Sequence, residues 1–130
     1  MAGWQDVVDY VHRKYKVADE RPDWIKLVFE INDLRTQVVF VWHLMLMNGE
    51  EDWIQIESPF GELGKVDLNA ALLQVGSTVC GGLALYNNTV TFRHAVPLEN
   101  LNINEFERPL TLVTTTADEL ERALVGGDEY

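Results

Sequence analysis

Apolar side chains recur at spacings of three and four at Trp4, Val7, Val8, Val11 and Tyr15, which places them along one stripe of a helix. Asp6 and Asp9 come early in that segment and Arg13, Lys14 and Lys16 late, the order that complements a helix dipole. The period is then lost. Residues 17–23 include Arg21-Pro22-Asp23, and because proline disfavours helical geometry in the residue before it, they read as a loop. From Trp24 the pattern becomes strict alternation: Ile25, Leu27, Phe29 and Ile31 face one way, and Trp24, Lys26, Val28, Glu30 and Asn32 the other, as in a half-buried strand. A two-residue Asp33-Leu34 turn returns the chain through residues 36–47 and sets Phe29 opposite Val38, Leu27 opposite Phe40 and Ile25 opposite Trp42. That register builds one apolar face. The reverse face of the second strand carries Val39, Val41, His43, Met45 and Met47, too apolar a set for a surface that faces water, so a cover for it is expected.

Asn48-Gly49 marks a second hairpin, leading into a strand over residues 51–57. Placing Ile54 and Ile56 with Leu44 and Trp42 requires an odd loop, Asn48-Gly49-Glu50, and sends Trp53 to the reverse face beside Met45. Pro59, Gly61 and Gly64 make residues 58–66 a loop. Asp67 is a natural N-cap for a short helix through Leu68, Ala71, Leu72 and Val75, and Gly76 stops it. Residues 82–86 and 89–96 form a further hairpin about Asn87-Asn88, since asparagine tolerates positive φ. Pro97 ends that strand, and residues 98–104 link it to a last helix whose stripe is Phe106, Leu110, Val113, Ala117, Leu120 and Leu124, with Gly126-Gly127 as its stop. Pro109 and Thr114-Thr115-Thr116 are weak helix formers, so this helix depends on packing.

The expected fold class is therefore α+β: an antiparallel sheet of about five strands with three helices in the order α-β-β-β-α-β-β-α. Residues 1–127 are read as one domain and 128–130 as a frayed acidic tail. The helices are expected on the face of Ile25, Leu27, Phe29, Phe40, Trp42 and Ile54. The opposite face, with Trp24, Val39, Val41, His43, Met45, Met47 and Trp53, becomes the candidate partner or dimer surface, because three short helices do not easily cover both sides of a sheet. Tryptophan offers large contact area there and methionine adapts to varied ligands.

Composition narrows the partners. A hydrophobic fraction of 47% in 130 residues supports a core without disulfides or a structural metal. Acidic side chains outnumber basic ones 21 to 10, for a formal net charge of −11. That balance disfavours nucleic acid and anionic membrane, whose binding depends on Lys and Arg displacing counterions. It suits a basic or amphipathic polypeptide, and it also serves solubility. The single cysteine, Cys80, has no intramolecular disulfide partner, and the first residues lack the basic and apolar regions of a signal peptide; a reducing cytoplasm is the expected compartment. No stretch approaches the ~18 apolar residues of a membrane span.

Catalytic and cofactor readings find little support. His12, His43 and His94 stand far apart and match no metal-binding spacing, so neither a metal nor another cofactor is expected. Cys80, between Val79 and Gly81, lacks a nucleophile context and reads as a small buried thiol. Gly61-Glu62-Leu63-Gly64-Lys65 lacks both the earlier glycine and the following Ser or Thr of a phosphate loop. Glu50, Glu51 and Asp52 have no calcium-loop spacing. The chain is not expected to be an enzyme.

The element order, together with Gly82-Leu83-Ala84-Leu85-Tyr86, Val90-Thr91-Phe92-Arg93, Val96-Pro97-Leu98-Glu99-Asn100-Leu101 and Ala117-Asp118-Glu119-Leu120-Glu121, resembles type III secretion chaperones and the related bacterial YbjN-like proteins. The resemblance implies a homodimer that binds an extended segment of another polypeptide. In its YbjN-like form it implies a regulatory or structural subunit acting through a stable protein partner.

Overall fold

In a computed structural model, which describes residue 1, residues 3–32 and residues 34–125, the chain is α+β, with helices on one side of an antiparallel sheet. The elements in chain order are α1 (Trp4–Lys14), β1 (Val17–Arg21), β2 (Trp24–Asn32), β3 (Arg35–Leu46), β4 (Glu51–Glu62), α2 (Leu68–Val75), β5 (Gly82–Tyr86), β6 (Thr89–Pro97) and α3 (Ile103–Leu124). The sheet has six strands in the order β1-β2-β3-β4-β6-β5.

The extra strand is β1, where the sequence reads as a loop. Val17–Arg21 ends in three charged residues and lacks the alternation that marks a strand, but its place at the sheet edge explains this: only one side of it is paired, and charges there discourage further pairing. Strand β4 also runs further than the pattern indicates, through Ser58, Pro59 and Phe60 to Glu62. Proline is tolerated because the ladder to β6 is irregular between Pro59 and Gly61. At that bend Gly61 passes so close to Val66 that an added Cβ would lie 2.5 Å from its Cγ2.

The helices form where expected. Asn102 caps α3 by accepting from the Glu105 amide at 2.9 Å, while Glu105 accepts in return from the Asn102 amide at 3.0 Å. Asp67 caps α2 through the Ala70 amide, and Asn87 takes φ 54° in the β5–β6 turn. The expected stop at Gly126-Gly127 and the tail at 128–130 lie outside the described residues, as does Asp33.

All three helices contribute to a single core against one sheet face. Val7 and Val11 of α1, Ala71 of α2, and Phe106, Val113, Ala117 and Leu120 of α3 meet Ile25, Leu27, Val39, Val41, Ile54, Ile56 and Phe92. Each larger side chain buried in this way contributes roughly 1.5–3 kcal/mol. A polar lock fixes α3 to β3: Arg35 Nε donates to Asp118 Oδ1 at 2.9 Å, and its Nη2 lies 3.4 Å from Glu121 Oε1. Between α1 and α3, Glu107 accepts from the hydroxyls of both Tyr10 and Tyr15.

The β2–β3 register corrects the expected faces. Asn32 pairs with Arg35, consistent with the two-residue turn, but the ladder shifts between Glu30 and Asn32, and beyond this bulge Phe29 lies opposite Gln37, Leu27 opposite Val39 and Ile25 opposite Val41. One extra residue at Ile31 exchanges the two sides of β3. Val39 and Val41 are fully buried under the helices. Phe40 and Trp42, expected in that core, are on the reverse face with Trp24 and Lys26. The β3–β4 connection is likewise even, with Leu46 paired to Glu51 and His43 to Ile54. Met47 and Asn48 in this loop take φ 54° and 58°, before Gly49 at 87°.

Candidate functional site

The sheet face turned away from the helices carries a groove of about 560 Å³. Trp24, Val38, Phe40, Trp42, Glu57, Tyr86 and Thr91 are among the side chains that line it. Cross-strand pairing explains the aromatic cluster: Trp24 of β2 sits opposite Trp42 of β3, with ring centroids 5.9 Å apart, and Phe40 follows Trp42 two residues along the same face, at 5.8 Å. Tyr86 of β5 reaches Trp42 from the far side, at 6.0 Å. The Trp42 indole N–H is buried and has no acceptor among the described residues.

Charge is distributed unevenly along the groove. At the β1 end Asp19 accepts from Arg21 Nη1 at 2.8 Å, and Arg21 also lies over the Trp24 ring at 5.4 Å. This guanidinium bond, the Glu20 amide and nearby Lys26 hold the Asp19 carboxyl below the usual carboxylate range. In the middle, Glu57 is buried and accepts from Thr91 Oγ1 at 2.7 Å.

The candidate residues from the sequence divide between the two faces. Trp24 is in the groove, and Trp53 is on the same sheet face nearer the β3–β4 loop, donating from Nε1 to Glu51 Oε2 at 3.2 Å. Val39 and Val41 belong to the core. His43 faces the helices, stacks on Trp4 at 5.3 Å and lies 2.7 Å from Asp52 Oδ1. Met45 is exposed at the end of β3 and Met47 in the loop beyond it. The seven therefore do not form one surface. Phe40, Trp42, Glu57 and Tyr86 were missed; the available signal was that the alternate positions Val38, Phe40 and Trp42 are as apolar as Val39 and Val41.

Of the histidines, His12 lies 3.0 Å from Glu20 Oε2 and His94 is half-buried on β6. Cys80 is half-buried, and its burial raises the thiol pKa. Among the described residues no cluster of three His, Cys, Asp or Glu side chains is placed to hold a metal ion, and no helix is long and apolar enough to cross a membrane.

A second apolar surface lies at the opposite edge of the sheet. Leu72 and Leu73 of α2 are 60% and 82% exposed, with Leu68, Leu85 and Leu63 close by. They flank β5, whose outer edge is unpaired among the described residues and whose sequence, Gly82–Tyr86, has no charge. Neither protein-family models nor curated proteins give a match to this chain.

Proposed function

We propose that this chain is a non-catalytic polypeptide-binding module that works through the open face of its sheet. The observation that carries the reading is the aromatic groove: Trp24, Phe40, Trp42 and Tyr86 gather on the one sheet face that no helix covers. Aromatic side chains supply large contact area at low entropic cost, and a concave site of this volume can take side chains that project from an extended chain. The element order supports a likeness to the secretion chaperones, and a YbjN-like regulatory subunit with one stable partner would use the same groove.

The reading includes self-association as a homodimer, but through α2 and β5. The two sheet edges differ in a way that favours this: β1 is blunted by Asp19, Glu20 and Arg21, whereas β5 has no charge and is bordered by exposed leucines.

The test uses a permanently unfolded polypeptide, reduced and alkylated ribonuclease A, titrated against wild type and Trp42→Ala. Saturable binding by wild type, weakened at least about tenfold by the substitution, is the expected result. Equal binding by both would remove the groove from the function.

A further inference from the structure

Resting on that reading of the open face, we infer that the groove selects a basic segment of its polypeptide, with a lysine or arginine side chain entering among the aromatic rings to meet Glu57. Glu57 lines the groove and is only 5% exposed. Its single hydrogen-bond partner among the described residues is the neutral hydroxyl of Thr91, and no cationic nitrogen is within ion-pair distance. The protein treats its other buried carboxylates differently. Asp118 and Glu121, the remaining buried acids, both reach Arg35. A buried carboxylate is costly unless a cation accompanies it, so Glu57 marks a place where a positive charge is missing.

The groove's own cations do not fill that place. Arg21 is bonded to Asp19 at the β1 end, Lys26 lines the groove but makes no ion pair with Glu57, and Arg93, the cross-strand neighbour of Glu57 on β6, is exposed and makes no ion pair with it either. The rings provide the rest of the site. A cation over an aromatic face is attracted by the ring quadrupole, more strongly once water is excluded, and the alkyl stem of Lys or Arg buries against the same rings. A net charge of −11 steers basic segments toward the surface.

The experiment uses a library of short acetylated and amidated peptides made in matched pairs, with lysine or its neutral isostere norleucine at each position, titrated against wild type and Glu57→Gln. Among peptides that bind, the lysine member should be tighter by at least about tenfold. Glu57→Gln should abolish that preference while leaving the norleucine affinities unchanged. Thermal unfolding checks the variant separately: an unpaired buried carboxylate predicts a midpoint no lower than that of wild type. Equal affinities within the pairs would overturn the inference and leave the polypeptide-binding reading standing. If no peptide of either kind binds, both fall.

Discussion

The rings of Trp42 and Tyr86 lie 6.0 Å apart although β4 and β6 separate their strands. Three strand-to-strand steps amount to about 14 Å in a flat sheet, so the contact requires the sheet to twist and bend toward its open face. The bulge between Pro59 and Gly61 provides the bend where β4 passes from one partner to the other. The place of Tyr86 in the aromatic cluster thus depends on this irregularity of β4.

The corrected register predicts which β3 substitutions damage the fold. Val41→Ala should cost about 2 kcal/mol, because Val41 is fully buried against Ile25 and Ile56. Val38→Ala, at a half-buried position on the other side of β3, should cost less than about 1 kcal/mol. Urea unfolding of both variants checks this, and a reversed order would restore the unbulged register.

The element types were largely legible in the sequence, and the sides of β3 were not, for a physical reason. Val38-Val39-Phe40-Val41-Trp42 is apolar at every position, so hydrophobic pattern favours neither register. Gln37 is no guide either, since a polar side chain belongs outside by default. In fact Gln37 is fully buried, and its Nε2 donates to Ser58 Oγ and to the Pro59 carbonyl, both at 2.8 Å. Those partners come from residues the sequence presents as a loop, and a bulge at Ile31 leaves no local signature. The groove was unreadable for the same reasons: it needs the β3 register, the β4 extension and the bend that delivers Tyr86.

Arg35 stands between two buried carboxylates, Asp118 and Glu121. Arg35→Ala should destabilise the protein by about 3–5 kcal/mol, measured by chemical denaturation, because it strands buried negative charge under α3. A loss below about 1 kcal/mol would show that Arg122, which lies 3.5 Å from Asp118 Oδ2, can take over.

Stability should fall at alkaline pH through the tyrosines at Glu107. Burial first, and the bonds to Glu107 second, raise the phenol pKa of both Tyr10 and Tyr15. Folding therefore favours the protonated phenols. Their contribution is complete below the ordinary phenol pKa of about 10 and is lost as pH rises toward the higher folded values. Urea midpoints at about pH 8 and about pH 11 should fall more steeply for wild type than for the Tyr10→Phe, Tyr15→Phe double variant.

Self-association through α2 and β5 predicts that Leu72→Glu with Leu73→Glu yields a monomer by light scattering with an unchanged far-UV circular dichroism spectrum, since both side chains are exposed in the protomer. A wild type that is already monomeric at high concentration would remove the dimer from the account.

The central claim is that the open aromatic face is where a polypeptide docks, and the four indole N–H resonances report on it individually. In a ¹H–¹⁵N spectrum recorded while unfolded, alkylated ribonuclease A is added, the Trp24 and Trp42 signals should shift together and saturate, while Trp4, stacked on His43 on the helix side, should not move. Stationary Trp24 and Trp42 signals under conditions of saturated binding would contradict the account.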